Sequence, residues 1–147
     1  MITKKTITLI TLILCAILFS GCIKKQNDSS LEITSSKFMQ VSGEGTAHNP
    51  FTATSTNKDN LSTGEVVFNV TAGGTLNFQI TARSEATYDL GRIYVNGTQI
   101  AEVSGVETSG PQQVVVSEGD VVRFTYEKDE FVSAGNDEAI LDFLFVQ

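Results

Sequence analysis

Ile93-Tyr94-Val95-Asn96-Gly97-Thr98-Gln99-Ile100 reads as a β-hairpin closed by a two-residue turn. Asn and Gly both tolerate positive φ, which a type I′ turn demands at its two central positions. A loop of that length pairs Val95 with Thr98 and Ile93 with Ile100. Ile93, Val95 and Ile100 then share one face, and Arg92, Tyr94 and Gln99 share the other.

The same period of two runs outward from this hairpin in both directions. Val66, Phe68 and Val70 alternate with Val67 and Asn69, Leu76, Phe78 and Ile80 with Asn77, Gln79 and Thr81, and Val122, Phe124 and Tyr126 with Arg123 and Thr125. Such alternation marks half-buried antiparallel strands. Ala72-Gly73-Gly74, Ser109-Gly110-Pro111 and Glu118-Gly119-Asp120 supply the turns between runs. No stretch sustains a helical period. Eight or so short strands with regular turn spacing predict an all-β domain over residues 37–147, an antiparallel two-sheet β-sandwich of jelly-roll type. Ala139 to Val146 is apolar on both faces, with Leu141, Phe143 and Phe145 on one and Ile140, Leu144 and Val146 on the other, which predicts a central strand.

The N-terminal quarter is of a different kind. Lys4 and Lys5 precede an apolar run from Thr6 to Phe19, and Ser20-Gly21-Cys22 follow. Those fourteen residues would make about 21 Å of helix, short of the ~30 Å hydrocarbon core, so the run reads as an export signal rather than a membrane span. Leu18-Phe19-Ser20-Gly21-Cys22 resembles the lipobox of bacterial lipoprotein precursors. That resemblance implies a signal peptide over residues 1–21, acyl chains on Cys22, and a domain held by lipid to the cell membrane or outer membrane, facing away from the cytoplasm. Two or three such chains make a stable anchor. Cys15 lies within the signal, so Cys22 would stand alone in the processed chain and no intramolecular disulfide is available. Residues 22–36 are polar and read as a flexible tether.

The whole chain carries ten Lys and Arg against seventeen Asp and Glu; within 37–147 the count is six against fifteen, a net charge of −9. That balance excludes nucleic acid as a partner, since phosphate backbones need cationic surfaces. Catalysis has little to work with. His48 is the single histidine, it precedes Asn49-Pro50, and no nucleophile accompanies it. The domain is expected not to be an enzyme.

Two groups of residues carry candidate chemistry. Tyr88, Asp89, Arg92 and Tyr94 combine aromatic rings with charged groups suited to sugar recognition, by stacking and bidentate hydrogen bonds. Glu127 to Asp142 concentrates carboxylates, and Asp129, Asp137 and Asp142 are the candidate ligands of a calcium ion, which takes six to eight oxygens; the spacing matches no EF-hand. Asp142 also has a structural reading. It sits mid-strand, where an unpaired carboxylate is costly, so Arg83, Arg92, Arg123, backbone amides or a cation should satisfy it and fix the loop Asp129–Asp137 to the sheet.

Ser84-Glu85-Ala86-Thr87-Tyr88-Asp89, Ile93-Tyr94-Val95-Asn96-Gly97, Tyr126-Glu127-Lys128-Asp129 and Gly135-Asn136-Asp137-Glu138-Ala139 with Asp142 resemble a module repeated in bacterial surface and secreted proteins, one similar to concanavalin-like and carbohydrate-binding jelly rolls. The resemblance implies a binding or spacer module rather than a catalyst. Its expected partner is a glycan or cell-envelope polymer; the alternative is a structural component that contacts another envelope protein.

Overall fold

The computed structural model describes residues 29–131 and 136–147. Cys22, the segment 1–21, the first part of the tether and Gly135 lie outside the described residues. Eleven strands are formed among them: β1 (Leu31–Lys37), β2 (Met39–Ser42), β3 (Phe51–Ser55), β4 (Thr63–Val70), β5 (Gly74–Arg83), β6 (Leu90–Val95), β7 (Thr98–Ser104), β8 (Val106–Thr108), β9 (Gln112–Val116), β10 (Val121–Glu127) and β11 (Glu138–Val146). They make two antiparallel sheets, as the alternation predicts. One runs β1-β4-β10-β6-β7; the other runs β2-β3-β11-β5-β8, with β9 also pairing β5.

The inner faces are the alternating apolar residues. Val66, Phe68, Ile93, Val122, Phe124 and Tyr126 from the first sheet meet Ala53, Leu76, Ile80, Leu141 and Leu144 from the second, all fully buried. Phe51 and Phe68 touch across the gap, with ring centroids 5.2 Å apart and tilted by 41°. Each such side chain contributes about 1.5–3 kcal/mol by leaving water.

The sandwich begins earlier than residue 37. Leu31–Lys37, read as the end of the tether, is strand β1, which pairs with β4 from Leu31↔Val70 to Lys37↔Glu65. Its residues other than Leu31 are exposed, and β1 stands at the edge of its sheet, beside β4 alone, so it carries little of the apolar alternation of the inner strands. Composition alone therefore reads it as linker.

Two irregularities correct the expected side-chain pairings. Val95 does oppose Thr98, but Ile93 pairs with Ala101 rather than Ile100, since the register shifts between Ile93 and Tyr94. One extra residue sits in β7, as in a β-bulge. In β11, which is central as expected, the register with β5 shifts between Asp142 and Phe145. Ala139 and Leu141 point inward before that break, and Leu144 and Val146 after it. The doubly apolar pattern of this strand is thus one inward face changing parity at a bulge.

The turn at Asn96-Gly97 has the expected conformation, with φ of 51° and 79°. A Cβ on Gly97 would meet nothing within 4 Å, so replacement tests backbone conformation alone. Gly97→Ala is expected to lower stability by about 1 kcal/mol, read as a shift in the urea midpoint with unchanged slope.

Candidate functional site

The connections divide between the two ends of the sandwich. Tight links occupy one end: 71–73, 96–97 and 117–120, together with the 43–50 loop. Gathered at the other end are Phe38, 56–62, 84–89, Gly105 and, from the connection between β10 and β11, residues 128–131 and 136–137. This loop end holds most of the unusual chemistry.

Its base is a buried ion cluster. Lys128 Nζ lies 3.2 Å from Asp89 Oδ2 and 2.5 Å from Asp137 Oδ1, with side-chain exposures of 1%, 2% and 9% in that order. The Tyr126 hydroxyl is within reach of the same two oxygens, at 3.3 and 3.4 Å. The backbone N–H of Asp129 donates to Asp89 Oδ1 at 3.3 Å, and that of Asp137 donates to the Arg83 carbonyl at 2.8 Å. Strand parity explains the convergence. Lys128 continues the inward row Val122, Phe124, Tyr126; Asp89 precedes the inward pair Gly91 and Ile93; Asp137 precedes Ala139 and Leu141.

Burial and hydrogen bonding to Asp137 push the Asp89 carboxyl above its ordinary range, against the pull of Lys128. Two carboxyls sharing one site cannot both ionise freely. Desolvation disfavours the Lys128 charge, but its two aspartates more than offset this and raise it. Burial also raises the Tyr126 phenol, helped by the charge of Asp89.

Above this base the backbone departs from ordinary geometry. Phe38, Leu61, Thr87 and Asp137, all at the loop end, have positive φ (52°, 56°, 74° and 59°). For branched Thr87 this is a genuine outlier. Phe38, Leu61, Tyr88 and Phe131 are each more than half exposed. Leu61 and Phe131 lie on loops stitched together by the Leu61 N–H to the Asp129 carbonyl, 2.8 Å, and Asn60 Nδ2 to the Glu130 carbonyl, 3.1 Å. Among the described residues, buried Asn57 Oδ1, Glu85 Oε2 and Asp129 Oδ2 accept no hydrogen bond. They too belong to this end. Strained backbone, unsatisfied acceptors and exposed rings cluster at sites of function.

The expected sugar-binding set is divided. Tyr88 is exposed on the 84–89 loop, whereas Asp89 beside it points into the core. Arg92 and Tyr94 share the outer face of β6, as their parity requires, but both have partners there. Arg92 bonds Glu102 at 2.8 Å and Glu127 at 2.7 Å. The Arg123 guanidinium lies 4.3 Å from the Tyr94 ring centroid and pairs with Glu65. These four residues do not form one surface.

The candidate calcium ligands are also apart. Asp137 faces Lys128, whose ammonium stands where a bound cation would. Asp129 Oδ1 accepts the Phe131 N–H at 2.9 Å. Asp142 stands opposite Gln79 on the outer face of the second sheet; burial raises its carboxyl, partly countered by Arg83. Among the described residues, no three or more His, Cys, Asp or Glu are placed to share a metal ion. Loop-fixing, expected of Asp142, falls instead to Lys128. His48 is exposed in the 43–50 loop, at the far end from the acidic cluster.

The sequence matches no protein-family model and no curated protein. Among solved structures, the secreted serine protease VesC from Vibrio cholerae is similar, with a TM-score of 0.54 and 15% identity over 65% of this chain and 21% of that one. A family 35 carbohydrate-binding module from an environmental isolate aligns with a TM-score of 0.37 and 14% identity, over 80% of this chain and 98% of that one. The corresponding module from Paenibacillus barcinonensis gives 0.34 and 14%, over 79% and 94%. This chain spans about a fifth of the protease it matches, and at 15% identity the likeness to it is one of fold.

Removing the cation should expose the cost of the cluster. Lys128→Met is expected to destabilise the domain by about 3–5 kcal/mol, because the two carboxyls lose their counter-charge in a buried site; urea unfolding measures this. The raised Asp89 carboxyl fixes the sign of a pH effect. Above the ordinary carboxylate range the unfolded chain gives up this proton while the folded one keeps it. Its contribution therefore falls as pH rises and is lost through the folded-state titration. Stability followed from about pH 4 to about pH 7 should decline less in Asp89→Asn than in the parent.

Proposed function

We propose that this chain is a non-catalytic binding module, lipid-anchored through Cys22 on the outside of a bacterial cell, whose loop end takes a glycan or another cell-envelope polymer. The anchor rests on the lipobox resemblance. The binding surface rests on one observation: Phe38, Leu61, Tyr88 and Phe131 stand exposed at the end of the sandwich where Phe38, Leu61 and Thr87 are held at positive φ and a buried ion cluster closes the core.

Rings held this way are ready to stack on the C–H faces of sugars without first being ordered. Preorganisation lowers the entropic cost of association. The surrounding polar loops can supply donors and acceptors for hydroxyls. Asp89 belongs to the supporting cluster rather than to the contact surface, and Tyr88 is the member of the expected set available to a ligand.

A second reading has its own support. Val106 and Val115 are exposed on β8 and β9, the short strands along one margin of the second sheet, and a partner protein could add a strand there.

Titration of the full chain against a panel of envelope and plant glycans separates the two readings. Tyr88→Ala and Phe131→Ala are each expected to weaken glycan binding about tenfold or more while leaving the unfolding midpoint in place. Val115→Lys should leave it unchanged. No glycan binding by the parent chain, together with loss of an envelope-protein partner in Val115→Lys, would replace the first reading with the second.

A further inference from the structure

The cluster beneath the loop end holds an amine, a carboxyl, and a second carboxyl in contact with both. These are the components of an amide condensation. Lys128 Nζ is 2.5 Å from Asp137 Oδ1, inside the roughly 2.7–2.9 Å usual for a charged N–H···O pair. Asp89 Oδ2 is 3.2 Å from the same nitrogen, and the Tyr126 hydroxyl approaches both carboxyls. Fixed proximity of this kind is worth a large effective concentration.

We propose that Lys128 and Asp137 become joined by an intramolecular isopeptide bond, with Asp89 as the proton-shuttling residue. Lys128 Nζ passes one proton to the Asp137 carboxylate, which discharges both groups. The free amine then attacks Asp137 Cγ and a C–N bond forms. Asp89 donates its proton to the resulting oxyanion and takes one from the nitrogen. It next protonates the departing hydroxyl, so that a C–O bond breaks and one water leaves. A proton from the remaining hydroxyl returns to Asp89 as the amide carbonyl forms. Ammonium and carboxylate are consumed, amide and water are produced, nothing is oxidised or reduced, and Asp89 ends as it began.

Burial supplies the reason to react. In water, the ammonium and carboxylate are each stabilised by hydration, which opposes condensation. Here they are 1% and 9% exposed, and a neutral amide relieves the cost of keeping two charges in a low-dielectric site. Burial and the hydrogen bond to Asp137 bias Asp89 toward the protonated form that the shuttle needs. Asp137, at φ 59°, is held toward Lys128 by the hydrogen bond from its own N–H to Arg83 and by Lys58 Nζ on its carbonyl at 2.7 Å.

Trypsin tests this on the full chain. Lys128 is the last Lys or Arg, so the unmodified chain, denatured and digested, yields fragments 124–128 and 129–147. The cross-linked chain is expected to resist cleavage after Lys128 and to yield one species, 124–147, lighter by one water. Lys128→Arg, Asp137→Ala and Asp89→Asn should each lack the water loss. Separate fragments of unaltered mass from the parent chain would overturn the proposal, even if a variant failed to fold. So would a water loss that persists in Asp137→Ala, or one that leaves cleavage after Lys128 intact. A cross-link that persists in Asp89→Asn would overturn the role of Asp89.

Discussion

A lysine ammonium buried beneath an apolar core has to be surrounded by acceptors, and meeting that demand organises one whole end of this molecule. The inward rows of both sheets are apolar along most of their length and turn polar at the end: Ser55 closing β3 and Asn57 beyond it, Ser84 after β5, Asp89 before β6, Lys128 after β10 and Asp137 before β11. These side chains plug the open end of the core. Because their partners come from different crossings, satisfying Lys128 sets the paths of the 84–89 loop and the segment before β11 at once. Tyr88 adjoins Asp89, and Phe131 bonds Asp129, whose own N–H reaches Asp89, so these two exposed rings sit on crossings tied to the charges below.

The two outer faces are built on different principles. On the first sheet Arg123, Glu65 and Tyr94 form one linked group, and Arg92, Glu102 and Glu127 another. Charge is balanced locally, which suits a surface that must stay soluble in an acidic domain. On the second sheet the register aligns Gln40, Thr54, Ile140, Thr81 and Thr108 across five strands. Ser42 meets Thr52 at 2.6 Å, and Gln113 meets Asn77 at 2.8 Å. Hydroxyls and amides dominate this face, and charge is confined largely to Asp142 and the Arg83–Glu138 pair.

Period-two alternation made both sheets readable, because each strand buries one face and exposes the other. Bulges were not readable: Ile100 and the Asp142–Phe145 shift each displace parity by one residue without a glycine or proline to mark the place. Edge strand β1 escaped because only Leu31 of its seven residues is buried. The ion cluster was legible only in hindsight. Lys128 lies between Glu127 and Asp129, in a run that composition assigns to solvent, yet counting by twos from Val122 puts it inside. The same count from Ile93 and Leu141 puts Asp89 and Asp137 inside with it. Carboxylates crowded in sequence suggested a metal ion, whereas the fold separated them and supplied its own cation.

Both boundaries of the sandwich lie at the end with the tight turns. The chain comes in at Ser30, whose carbonyl accepts the Thr71 N–H, and Gln147 exchanges two backbone hydrogen bonds with Thr75. Among the described residues, the loop end is made of crossings between strands. Whatever holds either boundary therefore works as a handle, with the ring-bearing loops presented at arm's length, roughly a strand's length of 20–25 Å further out. Copies fixed side by side on a surface would all offer the same end outward, turning a weak individual contact into a collective one.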